Sequence, residues 1–287
     1  MTTRHAYRLR LGEMVLELAS DDATVIDGLP TYFALPSDPA DPTVSLRLHV
    51  IESRPDRAVP SSLILTKRLT DRGFDIADGL IVGAYDPASG QGELHVADVL
   101  TRGLMTRVFE QVLYQAFHAA CLRAGWDAAL VHSSGVVRGG RGFLFVGPSE
   151  AGKSTIADLS QDAVVLNDEM NIVSFDPDGP RLHPSPFNGH YRRKQPGGAP
   201  LTAILLPHKG PEHRLEAVGP GEAAAHVAAQ IAPSVSLGAV ADRTTPVAML
   251  EVATRLVQMV PVRRMVFTRD AGFWPVVSRA FIPEQRG

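Results

Sequence analysis

The stretch GFLFVGPSEAGKST, residues 142–155, decides how the rest of this chain is read. Apolar FLFV has the makings of a buried strand, and STIADL after the loop is compatible with a helix. Between them stand Gly147, four residues (Pro148, Ser149, Glu150 and Ala151), then Gly152, Lys153 and Ser154, the pattern of a phosphate-binding loop. Gly147 lets the backbone leave the strand through a tight turn that a Cβ would hinder. Gly152 lets the main chain approach an anion, so that successive amide N–H groups form a nest around phosphate oxygens. The helix starting near Lys153 adds its positive end at the same point. Lys153 can reach the terminal phosphates, and Ser154 can offer its hydroxyl to Mg²⁺. At a glycine usage of about 7%, these fixed positions recur by accident in roughly one chain in a hundred of this length. The apolar run before the loop and the helical run after it lower that figure further. Residues Gly147 to Thr155 are therefore the expected binding residues for ATP, with Mg²⁺ as the companion ion.

Composition sets the bounds. With 287 residues, 45% hydrophobic and 21% charged, the chain reads as a globular protein with a full core. A formal net charge of −3 provides no general attraction to nucleic acid or to acidic membranes, so neither is an expected partner. The single cysteine, Cys121, has no intrachain partner and lies in QVLYQAFHAACLRAGW, a helical pattern in which a buried thiol is expected. No cysteine-based zinc site is possible. MTTRHAYRLRLGEMV lacks the composition of a secretory signal, and no apolar run approaches the roughly 18–20 residues of a membrane span. The expected location is the cytoplasm.

Residues 1–98 offer short strand-like runs, AYRLRL, EMVLELA, VSLRLHVIE, SLILTKRL, LIVGAY and GELHVA, separated by turn-rich segments such as LPSDPADP. They predict a β-rich, mostly antiparallel N-terminal region. Near residue 99 the period changes: Leu100, Leu104, Val108, Val112 and Phe117 suit an amphipathic helix over 99–123. Residues 99–287 are expected to form the nucleotide-binding domain, α/β in its core and α+β for the chain overall. In that part AALVHSSGVV, AVVLNDE and PLTAILLPH read as strands, NIVSFDPDGPRLH as a hairpin, and VRRMVFT as a last strand. GEAAAHVAAQIA and TTPVAMLEVATRLVQMV read as helices, the second with Pro246 in its first turn.

Asp168 and Glu169 close the apolar strand AVVL, where α/β folds present ligands at carboxyl edges. Phosphoryl transfer needs an acid near the metal and, in kinases, an acid that receives the hydroxyl proton of the acceptor. Two adjacent acids can divide these tasks, because successive side chains leave an extended backbone in different directions.

The short interval from Lys153 to this acid pair resembles HPr kinase/phosphorylase and, more distantly, the ATP-dependent phosphoenolpyruvate carboxykinases. The resemblance covers residues 131–169, VHSSGVVRGGRGFLFVGPSEAGKST through the acid pair, with weaker echoes in PLTAILLPHKG and VRRMVFTRDAGFWPVV. Its pattern is closest to the diverse HPr kinase-like proteins that include kinases of lasso-peptide precursors. In the family a histidine on the preceding strand, followed by a glycine, supports a catalytic aspartate; His132 and Gly135 are similar to that element. The resemblance implies that Asp168 is the base, that His132 braces Asp168, and that Glu169 shares Mg²⁺ with Ser154. Glu169 stands where the family has a second aspartate, and no segment matches its signature for binding HPr, which argues against HPr as the acceptor.

The basic cluster HYRRKQPGG follows, and its Arg192, Arg193 and Lys194 are candidates for a phosphate- or acceptor-binding lid or for an ordinary solvated loop. His183, His190 and His208 lack ligand spacing and are assigned no metal. The expected function is a Mg²⁺- and ATP-dependent kinase of a hydroxyl on a small metabolite or peptide, with Asp168, His132 and Lys153 as its catalytic residues. A carboxylate is a weak base at neutral pH, so the contribution of Asp168 is expected to be largely alignment. The competing expectation is a regulatory or assembly protein that binds ATP without phosphorylating anything. Carboxykinase-like chemistry would need a further metal-ligand set and an oxaloacetate site, and no segment supplies either. Family cores of this type often assemble, so a homo-oligomer is compatible with the resemblance.

Overall fold

The computed structural model describes residues 4–51, 67–70, 73–76, 81–86, 89–97, 110, 113–114, 117, 121, 124–160, 162–191, 195, 197–231 and 246–282. The chain is a mixed α/β protein with two mixed sheets. It divides into two compact units with a boundary between Trp126 and Asp127, well after the position 98/99 at which the hydrophobic period changes. No described helix is long and apolar enough to cross a membrane.

The first unit carries β1 (His5–Leu11), β2 (Met14–Ser20), β3 (Val44–Ile51), β4 (Lys67–Thr70), β5 (Gly73–Ile76), β6 (Ile81–Asp86) and β7 (Gln91–Ala97). Their order is β1-β2-β3-β7-β6-β5-β4. The antiparallel expectation holds for the β1–β2 hairpin and for the run β7-β6-β5-β4, but β2–β3 and β3–β7 are parallel. Between β2 and β3 lie two helices that the sequence does not announce, α1 (Ala23–Asp27) and α2 (Leu29–Phe33). Each has only five residues, too few for a helical period to register, although Asp22 caps α1 through Thr24 N–H and Pro30 opens α2. Of the helix expected over 99–123, Glu110, Leu113, Tyr114, Phe117 and Cys121 are described; they are helical and buried, and the remainder lies outside the described residues.

The second unit contains β8 (Ala128–Arg138), β9 (Arg141–Val146), α3 (Lys153–Asp158), β10 (Val164–Asn167), β11 (Met170–Asp176), β12 (Gly179–His183), β13 (Ala199–Lys209), β14 (Arg214–Ala217), α4 (Pro220–Ala228), α5 (Pro246–Met259), β15 (Val262–Phe267) and α6 (Phe273–Phe281). β9, β13 and β15 are parallel neighbours, and β14 is an antiparallel edge that the sequence reading omits. β8 is shared: residues 128–132 pair with β11, while residues 133–138 pair with β9 on one side and, in part, with β10 on the other. Through β11–β12 and β12–β13 the pairing closes into a circuit.

Strand β9 shows why its apolar run is needed. Phe143 and Phe145 face a core built with Ile156, Ala157, Phe273, Trp274 and Val277. Leu144 and Val146 face the opposite core, with Ala223, Val227, Ala253 and Leu256. A parallel strand covered on both faces must be apolar throughout. Each of these large side chains contributes about 1.5–3 kcal/mol by leaving water. The same alternation runs along β13, with Ala203 and Leu205 on one side and Ile204 and Leu206 on the other.

This topology aligns several strand ends. β10 and β9 both run antiparallel to β8, and β13 and β15 run parallel to β9, so all four point the same way. Gly135 of β8 is opposite both Leu144 and Asn167, which puts the residues after Asn167 level with the end of β9.

Candidate functional site

The loop after β9 occupies this aligned edge. Gly152 has φ +103° and ψ 15°, a left-handed conformation that only glycine adopts readily, and a Cβ there would lie 2.8 Å from Phe267 Cζ at the end of β15. The conformation and the close approach thus both require glycine at this point. Gly147 is buried, Pro148, Ser149 and Glu150 are exposed, and Ala151, Gly152, Ser154 and Thr155 are half-buried. Lys153 is buried, and its Nζ donates to the carbonyl oxygens of Gly147 (2.7 Å) and Pro148 (2.9 Å). Burial pulls the Lys153 ammonium below its ordinary pKa, and the carboxylates of Glu169 and Asp168 act in the opposite direction.

A cavity of about 580 Å³ opens over this loop. From the loop and α3 it is lined by Ser149, Glu150, Gly152, Lys153, Ser154 and Thr155. The other wall consists of His132, Asp168, Glu169 and Lys209. The loop, the acid pair and the histidine singled out in the sequence therefore meet in one space, although they come from three separate segments.

Asp168 is only 2% exposed. Its Oδ1 accepts the Tyr191 backbone N–H at 2.9 Å, and among the described residues its buried Oδ2 has no hydrogen-bond partner. Residues 184–191 pass over it, with Gly189 against both acids: a Cβ on Gly189 would come within 2.9 Å of Asp168 Cγ and 2.9 Å of Glu169 Cβ. An orphan carboxylate oxygen in a cavity wall is costly unless a ligand completes it.

His132 does not brace Asp168. Its Nδ1 meets Gln230 Oε1 at 3.0 Å, and its Nε2 faces Glu169 Oε2 at 3.7 Å. Register explains this difference: His132 is opposite Met170, and Ser133 N–H donates to Glu169 O, so the histidine lies beside the second acid while Asp168 turns toward Tyr191.

Lys209 was not singled out in the sequence as a site residue. It is exposed at the end of β13, next to the strand that carries the loop, and it brings a second cation to the cavity. Beyond the weak echo of its segment PLTAILLPHKG, its place at the cavity follows from β13 being the parallel neighbour of β9. Arg192, Arg193 and Lys194 lie outside the described residues. His183 is buried and its Nε2 meets Ser174 Oγ at 2.8 Å, while His190 and His208 are exposed.

Among the described residues no group of three or more His, Cys, Asp or Glu side chains is arranged to hold a metal. What the cavity offers is two hard carboxylates and the Ser154 hydroxyl. Such a set suits Mg²⁺, which binds through one or two carboxylates and takes its other ligands from phosphate and water. No family model matches the chain, and no curated protein matches it in sequence.

Proposed function

We propose that this chain is a Mg²⁺- and ATP-dependent phosphotransferase acting on a hydroxyl of a small metabolite or peptide. The observation that carries the reading is the meeting of Lys153 and the acid pair in one cavity, where the buried Asp168 Oδ2 has no hydrogen-bond partner among the described residues. The resemblance of residues 131–169 to HPr kinase-like proteins supports the same assignment.

Bound Mg–ATP would supply the phosphoryl group and the countercharge that phosphoryl transfer requires. The loop 147–155 would hold phosphate oxygens through its amides, and Lys153 would exchange its bonds to Gly147 and Pro148 for bonds to phosphate. Ser154 and Glu169 would hold the ion, and His132, bonded to Gln230 and 3.7 Å from Glu169 Oε2, would help orient that carboxylate. Asp168 Oδ2 would align the acceptor hydroxyl and receive its proton. Gly189 and the Tyr191 N–H keep bulk water from that carboxylate, which strengthens its hydrogen bond to an acceptor.

Incubating the protein with γ-labelled ATP and candidate acceptors tests this reading. Label should pass to an acceptor, and Asp168→Asn should abolish the transfer while leaving ATP affinity intact; unchanged turnover would remove Asp168 from the chemistry. The near-complete covering of Asp168 also favours a second reading, in which the protein binds ATP as a regulatory or assembly factor. ATP binding without label on any acceptor is the result that reading requires.

A further inference from the structure

The acid pair falls in a gap between two stretches of pairing along β8, just after a register shift between Val165 and Asn167. Asn167 is opposite Gly135, and the pairs Met170 with His132 through Ser174 with Ala128 keep the same register along β8. A regular strand through residues 168 and 169 would send the two side chains to opposite faces. Both acids line the cavity instead.

Two buried asparagines replace the ladder in this gap. Ser133 N–H donates to Glu169 O at 3.0 Å, one half of the reciprocal exchange expected of a hydrogen-bonded antiparallel pair. Glu169 N–H donates not across the ladder but to Asn167 Oδ1 at 2.7 Å, and Met170 N–H donates to the same oxygen at 3.2 Å. Ser133 O, the other ladder acceptor, takes Asn171 Nδ2 at 2.8 Å. Asn167 Nδ2 reaches the covering segment: Ser185 O at 3.1 Å, Ser185 Oγ at 3.2 Å and Phe187 O at 2.8 Å. Asn167 is 1% exposed, and Phe187 is fully buried.

We propose that Asn167 is the positioning residue of the acid pair, its side-chain oxygen fixing the bend that turns both Asp168 and Glu169 into the cavity and its amide tying that bend to the segment over Asp168. An asparagine oxygen that accepts a backbone N–H two residues ahead forms an Asx-turn, and serine forms a weaker version with its hydroxyl. Alanine forms none. Neither serine nor alanine reaches Ser185 or Phe187, so both variants lose the amide contacts equally and differ only at the bend.

The role rests on the kinase reading, and its test separates the two. The affinity for ATP is measured by calorimetry with and without Mg²⁺ for the wild type, Asn167→Ser and Asn167→Ala. Partners that orient metal-binding side chains are typically worth 10–100-fold in metal affinity. Asn167→Ala should therefore lose roughly tenfold or more of the gain in ATP affinity that Mg²⁺ provides. Asn167→Ser should keep that gain to within about threefold of the wild type, since its hydroxyl re-forms the turn. Mg²⁺-free affinity should be unchanged in both, because loop 147–155 is intact. Equal loss in the two variants, or full retention in alanine, would overturn the positioning role while leaving the kinase reading in place. A wild type that binds no ATP under either condition would overturn both. If the alanine variant does not fold, the serine variant decides: loss of the Mg²⁺-dependent gain in a folded protein refutes the role.

Discussion

Replacing Gly189 with alanine strikes the acid pair without touching the loop that would hold phosphate. A Cβ at this position would sit 2.9 Å from Asp168 Cγ and 2.9 Å from Glu169 Cβ, and closer still to Asp168 Oδ1. Carbon atoms settle about 3.5–4.0 Å apart, so each acid must yield by at least ~0.6 Å, and the carboxylate oxygen by more. The covering segment cannot absorb the whole movement, because Phe187 is fully buried and Asn167 holds both Ser185 and Phe187. A displacement near 1 Å in a reacting constellation costs on the order of 100-fold in rate. Gly189→Ala should therefore lower phosphoryl transfer by roughly two orders of magnitude, read as label passed from γ-labelled ATP to an acceptor or, without one, to water. Affinity for ATP in the absence of Mg²⁺ should remain at the wild-type value, since Gly189 is not among the residues lining the loop side of the cavity. Wild-type turnover in this variant would show that the acid pair does not take part in the chemistry. A matching fall in Mg²⁺-free ATP affinity would show instead that the substitution disturbs the whole site.

Gly152→Ala should destabilise the protein by about 1–3 kcal/mol, because the residue is at φ +103° with Phe267 behind it, and should also weaken ATP binding; an unchanged urea midpoint would refute this account of the loop. Lys153 predicts a pH dependence with a definite sign. Burial lowers its pKa in the folded protein below 10.5, so between the lowered value and 10.5 the unfolded chain binds more protons, and the stability of the free protein rises with pH across that window. Phosphate favours the charged ammonium, so ATP binding should take up a proton in the same window and weaken as pH rises through the lowered pKa. Calorimetry in buffers of different ionisation enthalpy reads the uptake directly, and its persistence in Lys153→Met would exclude Lys153 as the source.

Much of the second unit was legible because its signals are local. The run FLFV must be apolar on both faces, the loop spacing from Gly147 to Ser154 is contained in eight residues, and the DPDG turn joins β11 and β12. The helix expected to start near Lys153 begins there and is six residues long, and the helix expected to carry Pro246 in its first turn begins at that proline. What escaped depends on which distant segments become neighbours. Periodicity cannot distinguish parallel from antiparallel partners, so the β2–β3–β7 pairings in the first unit were out of reach. Lys209 becomes a cavity residue only because β13 is beside β9, some sixty residues away in sequence.

The choice of partner for His132 shows most clearly where local reading stops. The sequence places a histidine on the strand before the loop and two acids on the strand after it, but it cannot say which acid the ring meets. That depends on the register of β8 against β11, where a slip of one residue would exchange the faces presented. In that register the amides of Glu169 and Met170 are satisfied locally, both donating to Asn167 Oδ1. With Asn167 accepting them, Glu169 comes beside His132, and Asp168 is left to Tyr191 and to whatever completes its second oxygen. The two acids thus meet different partners beside one buried asparagine, at the point where the strand reading AVVLNDE gives way to the hairpin reading NIVSFDPDGPRLH.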